Sequence, residues 1–148
     1  MMVRTIGGVV LGYLVTALLV SALFYGAFVL IGSERMFESG GYVPKRAWSV
    51  ASLLLGFLAA VVGGQVSVAI GKGRKAATIL ASAFLVVGFM TASLSGSRTG
   101  PIPSVPRVES VGFREMIQNG KEPAWVSFSN PVVGAAGVVL GAMLKRNH

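Results

Sequence analysis

Residues 48–96 decide the fold: WSVASLLLGFLAAVVGGQVSVAIG, then KGRK, then AATILASAFLVVGFMTASLSG. The two runs on either side of the KGRK tetrapeptide, 48–71 and 76–96, contain no charged residue. Each has roughly the 20 residues that an α-helix needs to cross a hydrocarbon core about 30 Å thick. A connection as short as 72–75 joins antiparallel neighbours. The sequence therefore predicts a membrane-spanning helical hairpin.

Upstream of this hairpin, residues 5–31 form another long uncharged run. A secretory signal peptide is the competing interpretation, because Arg4 precedes the run and Val20-Ser21-Ala22 resembles a cleavage site. The apolar run continues well beyond Ala22, through Ile31. We therefore expect a first membrane span.

A fourth apolar run, residues 124–144, is interrupted by Asn130-Pro131. In one interpretation Pro123 opens a single helix that is kinked at Pro131, where proline removes a backbone donor. In the other, Asn130 caps a helix that begins at Pro131. That shorter helix would measure only about 21 Å, less than the hydrocarbon core, so we predict the full-length kinked helix.

Composition agrees with four spans. The mean hydropathy is +0.74, and charged residues make up only 12% of the chain, about half of the fraction usual in soluble proteins. All charged residues lie outside the four runs. We predict an all-α, polytopic membrane protein in which four transmembrane helices form an antiparallel bundle, a single domain over residues 1–148.

The long connection between spans three and four, residues 97–122, divides into two parts. The first contains Pro101, Pro103 and Pro106 and is expected to be irregular. The second, 110–119, is predicted to form a short helix that Gly120 ends as a C-cap. We expect this helix to pack as part of the loop, in preference to acting as a lid or a docking element.

Basic residues predict the orientation. With four spans, six of them share one side with no acidic residue; the other side carries seven and all five glutamates. The cluster in the short turn is the strongest signal, because the rule weighs short segments beside span ends. We predict a multi-pass membrane protein with both termini in the cytoplasm. The six residues are Arg4, Lys72, Arg74, Lys75, Lys145 and Arg146.

Contacts with lipid headgroups are expected at both boundaries. Lys72, Arg74 and Lys75 are placed to meet anionic headgroups, and Trp48 and Trp125 to lie at the outer boundary. The basic residues are scattered beside apolar runs, which disfavours nucleic acid as a partner.

Residues that carry catalysis are scarce. The chain has no cysteine and no aspartate, and its only histidine is His148. A Ser/His/Asp triad or a histidine metal cluster is thereby excluded. We predict no catalytic, metal-binding or cofactor-binding residue.

Within the spans the informative residues are polar or small. Gln65 and Asn130 need hydrogen-bonding partners in hydrocarbon, so each is expected either to clasp another helix or to contact a solute. Glycine pairs predict close helix packing, and the two G-x-x-x-G motifs could join spans one and four or contact another chain. The packing glycines are Gly8, Gly12, Gly63, Gly64, Gly137 and Gly141.

Two stretches carry a family resemblance. The first is residues 48–65, which a short basic turn follows. The second is residues 122–137, which precede a basic tail and read Glu-Pro-Ala-Trp-Val-Ser-Phe-Ser-Asn-Pro-Val-Val-Gly-Ala-Ala-Gly. In this order the chain resembles small four-span bacterial inner-membrane proteins of unknown function. The resemblance implies the four-span fold and a location in the bacterial inner (cytoplasmic) membrane, and it supplies no activity or site residue. The chain does not look like a small multidrug transporter, because those proteins keep a glutamate within the first span.

Three functions follow as hypotheses. The leading one is a non-enzymatic accessory or structural subunit, or a small oligomer, that packs against a membrane partner or lipid; the lack of charge within the spans favours it over ion-coupled transport. The alternative is an oligomeric channel or carrier for a small solute, with a polar site near Gln65 and Asn130. An enzyme is disfavoured, because the loops hold carboxylates without an organised nucleophile or metal set.

Overall fold

The computed structural model describes residues 2–96 and 112–146, which are almost entirely helical. Four of the helices are long and apolar enough to span a membrane, and a short helix lies in the loop between spans three and four. The predicted fold class is confirmed. The helices are α1 (Met2–Ile31), α2 (Ser33–Met36), α3 (Arg46–Gly71), α4 (Arg74–Gly96), α5 (Phe113–Asn119) and α6 (Ala124–Arg146).

Three of the spanning helices begin two or three residues earlier than the apolar runs do. Arg46 starts α3 and Arg74 starts α4, so charged residues extend these helices past the apolar segment. The reason is that the charge pattern marks where hydrocarbon ends, whereas a helix can continue into the headgroup region. Between α3 and α4, Lys72 adopts a left-handed backbone with φ of 51° and reverses the chain.

The fourth span is one continuous helix with Pro131 inside it. Of the two interpretations of Asn130-Pro131, the structure therefore has the helix that starts at Ala124. The proline ring packs directly on α4 at Gly88, where a Cβ atom would lie only 2.5 Å from its Cγ. A glycine opposite the proline thus makes room for the ring between the two helices.

Helix α3 is the centre of the bundle, with its most extensive contacts to α1 and α6. Helix α4 packs mainly on α6 and has fewer contacts with α1. Going round the bundle, the order is α1, α3, α6, α4. We call the end that carries Lys72 and Gly73 the turn end, and the opposite end, which carries α2 and α5, the cap end.

Glycines allow α3 to approach both of its main neighbours. On the α1 side, a Cβ at Gly8 would lie 2.6 Å from the carbonyl oxygen of Ser67, and one at Gly12 would lie 2.9 Å from that of Gly63. Both distances are far below van der Waals contact. Only glycine therefore fits at this seam.

The second G-x-x-x-G motif packs on a different face of α3. A Cβ at Gly137 would lie 2.8 Å from the carbonyl oxygen of Phe57, and one at Gly141 would overlap the carbonyl of Val61. The motifs therefore do not form a seam between spans one and four, which was one of the two alternatives: each motif contacts span two. Pattern alone did not distinguish these partners, because any helix presents a backbone to which a glycine can pack.

The cap end forms a second apolar cluster of buried Met36, Phe37, Trp48 and Met116. A short hairpin leads from α2 into α3: the backbone N–H of Glu38 donates to Val43 O (2.9 Å), and that of Lys45 donates to Met36 O (2.8 Å). The chain reverses at Gly40, whose φ is +77°. This hairpin gives the cap its fold.

Helix α5 docks on this hairpin, as the prediction of a packed loop helix proposes. The Tyr42 hydroxyl donates to the Glu115 carboxylate (2.5 Å), and the N–H of Lys121 donates to Tyr42 O (3.3 Å). Phe113 lies edge-on to Tyr25 of α1, with ring centroids 5.3 Å apart. Helix α5 ends before Gly120, whose φ of −60° is not left-handed; glycine is needed there because a Cβ would lie 2.6 Å from Met116 O.

A candidate ligand cavity at the cap end of the bundle

A cavity of about 590 Å³ lies among the four spans, between the bundle core and the cap end. Its volume falls within the range of small-molecule sites, roughly 300–1,000 Å³. On α1 its lining extends from Tyr13 to Phe24, which corresponds to about 16 Å along the helix axis. The cavity therefore reaches about halfway into a hydrocarbon core of roughly 30 Å.

Tight packing closes the cavity towards the turn end. The ring of Tyr13 lies against that of Phe84, with centroids 5.8 Å apart, and Phe84 in turn packs on Gly134 of α6. Below this layer, Leu80 is fully buried against Gly12. The cavity is therefore a pocket with a floor, and no passage to the turn end is seen among the described residues.

Between α1 and α4 the cavity has an exposed rim. These two helices contact each other at Gly12–Leu80 and at Tyr13–Phe84. From there towards the cap end, residues of both helices line the cavity. Tyr13 is 50% exposed and Val87 is 53% exposed. The rim between α1 and α4 faces the surroundings of the bundle, which for spanning helices is lipid.

Helix α6 contributes the polar wall. Its residues Ser127, Asn130 and Pro131 line the cavity together with Glu122, which lies two residues ahead of the first helical residue. The spacings of three and four residues between the α6 members place them on one helical face. The result is a polar stripe that runs from the cap end into the span.

Among the residues that the structure describes, Glu122 is the only acidic one that lines the cavity. Its carboxylate accepts hydrogen bonds from the Ser127 hydroxyl (3.3 Å) and from the Asn130 side chain. The Glu122 side chain as a whole is exposed, yet partial burial of its carboxyl raises the pKa above the ordinary value of 4.5, and the two hydrogen bonds lower it in part. No lysine or arginine of the described residues forms a salt bridge with this carboxylate.

The hydroxyl groups of the cavity present acceptors. Thr16 donates to Gly12 O (2.8 Å), Ser52 to Ser49 O (2.8 Å) and Thr91 to Gly88 O (2.9 Å). Because each hydroxyl proton is used by its own helix, the oxygen lone pairs are what remain for a ligand. Together with the Glu122 carboxylate, they favour a ligand that donates hydrogen bonds or carries positive charge.

The two polar residues singled out in the sequence are separated by the fold. Asn130 lines the cavity, whereas Gln65 of α3 is half-buried and is not part of its lining. A single site shared by Gln65 and Asn130, as the channel or carrier hypothesis supposes, is therefore not formed within one chain. The six packing glycines all lie at contacts of α3 with α1 or α6.

The residues that were expected to contact lipid headgroups differ in how exposed their side chains are. The side chains of Lys72, Arg74 and Lys75 are exposed at the turn end, and Trp125 is 47% exposed near the start of α6. Trp48 is only 9% exposed, because it packs edge-to-face on Phe24 with ring centroids 5.7 Å apart. The cap covers the ring, so Trp48 offers little surface for the expected contact with headgroups.

Sequence reasoning missed Glu122 as a site residue, because the glutamates were treated together as loop residues. The available signal was its spacing to Ser127 and Asn130 across the start of the fourth span. No group of three or more metal-ligating side chains is found within the described ranges 2–96 and 112–146.

Comparisons of the chain with protein-family models, with curated proteins and with solved structures found no match. The resemblance to small four-span bacterial membrane proteins consequently stays a prediction. Function has to be argued from the cavity itself.

Proposed function

We propose that this is a non-enzymatic membrane protein that binds a small apolar or amphipathic molecule of the bilayer between its spans, as an accessory protein of the bacterial inner membrane. The observation that carries the proposal is the cavity of about 590 Å³ with a rim between α1 and α4. A molecule dissolved in lipid can reach such a rim without crossing the headgroup layer. Both termini are assigned to the cytoplasm, so the cap end faces outward.

The glycine packing favours a lipid-binding role over a small oligomer held by glycine faces. The predicted packing glycines of α1 and α6 already contact the backbone of α3, and those of α3 are already contacted by α1 and α6. These surfaces are therefore used within the chain and do not remain for a second copy. A membrane partner, if it binds, meets other surfaces, such as the exposed apolar residues of α1.

A carrier is the second candidate, because Asn130 and Glu122 lie together in the cavity. A pocket with a floor at Tyr13 and Phe84 corresponds to one access state of such a carrier. Flux of a small solute in proteoliposomes, abolished by Asn130→Leu and retained in Gln65→Leu, would support this candidate. Equal flux in wild type and in Asn130→Leu would exclude Asn130 as its site.

Filling the cavity tests the main proposal. Gly56 of α3 lines the cavity, and a Cβ placed there would meet no atom within 4 Å. Gly56→Phe therefore projects a ring into open space without disturbing the helix seams. Gly26→Phe on α1 is the matched control, because a Cβ at Gly26 also meets no atom within 4 Å and this residue is not part of the lining.

The measurement is the lipid content of the protein after purification from membranes in mild detergent, by native mass spectrometry. We expect wild type and Gly26→Phe to retain a bound lipid or lipid-like molecule in equal amounts and Gly56→Phe to lose it. Equal retention by all three proteins would refute the cavity as the binding site. Absence of any bound molecule from wild type, in detergent and in nanodiscs alike, would refute lipid binding.

A further inference from the structure

The side chains at the cavity mouth indicate the charge of the ligand, which the volume of the cavity does not. Glu122 lies just ahead of the first turn of α6, so its carboxylate is near the depth at which headgroups begin. Only neutral donors, Ser127 and Asn130, contact it among the described residues. A carboxylate at a cavity mouth that has no lysine or arginine partner among the described residues is complementary to a cation from elsewhere.

We propose that the cavity binds an amphiphile with a protonated amine headgroup, whose ammonium contacts Glu122 and whose hydrocarbon chain lies among the four spans. The inference rests on the proposed function and adds the charge of the ligand. An ammonium donates three hydrogen bonds and accepts none, which matches the acceptors that Glu122 and Thr91 present. An anionic headgroup would meet the carboxylate with like charge.

The rest of the lining fits a hydrocarbon chain. Below the mouth the walls include Val20, Val87 and Val133, and the floor is the aromatic pair Tyr13 and Phe84. The lining is about 16 Å long on α1, so a chain of moderate length is accommodated while its head stays at Glu122. A water-soluble amine lacks the chain and gains only the contact with the carboxylate.

Trp48 reports directly on this cavity. It is buried, and its ring packs on Phe24, which is part of the lining. The chain has two tryptophans, so the substitution Trp125→Phe leaves Trp48 as the sole tryptophan, which can be excited selectively. A bromine atom carried by a ligand in the cavity quenches Trp48, whereas brominated acyl chains in the surrounding bilayer are kept away by the cap.

The probes are mid-chain dibrominated dodecylamine, dodecanol and dodecanoate, each added to Trp125→Phe protein in phosphatidylcholine nanodiscs and compared at equal mole fraction in the membrane. The three probes share a chain and differ in head charge. Ethylamine is the soluble-amine competitor. Glu122→Gln keeps the size of the side chain and removes its charge, and Glu38→Gln is the control, an exposed glutamate at the same end outside the cavity.

We expect the amine to quench Trp48 saturably and at a lower mole fraction than the alcohol or the carboxylate. Glu122→Gln should raise the half-saturating mole fraction of the amine about tenfold, as expected for loss of a charge-assisted hydrogen bond. The alcohol should be unaffected, and the carboxylate should bind better than before. Glu38→Gln should change none of the three, and ethylamine should not displace the brominated amine.

A pH titration of the wild-type carboxylate provides a test that does not depend on the folding of a variant. The amine stays protonated below about pH 10, so its advantage over the alcohol should disappear as acid protonates Glu122. Tyr13 on α1 is the other titratable side chain among the described lining residues. The lining residues from α3 and α4, and the rest of those from α6, carry no titratable group.

The outcomes separate the two proposals. If Glu122→Gln shifts amine and alcohol equally, or shifts neither, or if the advantage of the amine persists in acid, the ammonium assignment is refuted. Saturable quenching by any probe that Gly56→Phe removes still supports cavity binding. If no probe quenches Trp48 saturably, the proposed function itself fails. Displacement by ethylamine would refute an amphiphile in favour of a soluble amine.

Discussion

Gly64→Ala should destabilise the bundle strongly, because α3 and α6 touch backbone to backbone at this position. A Cβ at Gly64 would overlap the carbonyl oxygen of Val138 and lie 2.8 Å from its Cα. Ordinary contacts between carbon atoms are about 3.5–4.0 Å, so the two helices would have to separate locally by about 0.7–1.2 Å (3.5 − 2.8 and 4.0 − 2.8). No flexible side chain is present at this contact to absorb the shift.

The expected cost is about 2 kcal/mol or more of the free energy of unfolding. Overpacking a well-packed contact costs roughly 1–3 kcal/mol, and a gap of about 0.5–1 Å forfeits a quarter to a half of the dispersion energy along the seam. The higher helix propensity of alanine offsets little of this cost, because the spans stay helical when they separate from one another in a membrane. The overlap here is with backbone, which places the estimate at the upper end.

Gly56→Ala is the control, since Gly56 lies on the same helix and a Cβ there meets no atom within 4 Å. We expect its stability to stay within about 0.5 kcal/mol of wild type. The assay is unfolding in mixed micelles with increasing sodium dodecyl sulfate, followed by fluorescence of the buried Trp48. A Gly64→Ala protein as stable as wild type, or equal losses at both positions, would refute the packing of α6 on α3 described above.

Three further predictions concern the cap, the cavity and the topology. Tyr42→Phe removes the hydrogen bond to Glu115 and should speed amide exchange in α5, at a cost of about 1 kcal/mol, without changing exchange in the spans; unchanged exchange in α5 would contradict the docking. Burial raises the pKa of Glu122 above 4.5 in the folded state, so the folded protein binds more protons there than the unfolded one and stability should fall as the pH rises through the raised pKa; unfolding curves of Glu122→Gln should lack this slope, and an identical slope would assign it to another group. Because the chain has no cysteine, Gly73→Cys and Ser39→Cys can be labelled singly; a membrane-impermeant maleimide should react from outside intact cells with Ser39→Cys alone, and the reverse pattern would invert the topology.

The spans were predictable because their signal is local. Hydrocarbon excludes charge, so uncharged runs bounded by Arg and Lys mark each spanning segment from sequence alone. The continuity of α6 through Pro131 also followed from length, since a helix starting at Asn130 is too short to cross. The predicted starts of α3 and α4 were less accurate. The helices begin at Arg46 and Arg74, two residues before the apolar runs, because a helix does not have to end where hydrocarbon does.

The partners of the glycines were not predictable in the same way. The motif that contains Gly8 and Gly12 and the one that contains Gly137 and Gly141 are identical in sequence, yet they pack on different faces of α3. A glycine motif states that a backbone can approach closely and does not state which backbone. The burial of Trp48 under the cap was hidden for a related reason: its cover comes from Met36 and Met116, distant in sequence.

By itself, the sequence determined that this chain is a four-span helical membrane protein, because the cost of placing charge in hydrocarbon acts on each segment separately. Only the tertiary structure decided that α3 is the central helix and that Glu122, Ser127 and Asn130 meet at the mouth of a cavity formed by all four spans. A cavity is the space left between helices, and it depends on how their surfaces fit together. That fit is a property of pairs of distant residues, which no single stretch of the chain contains.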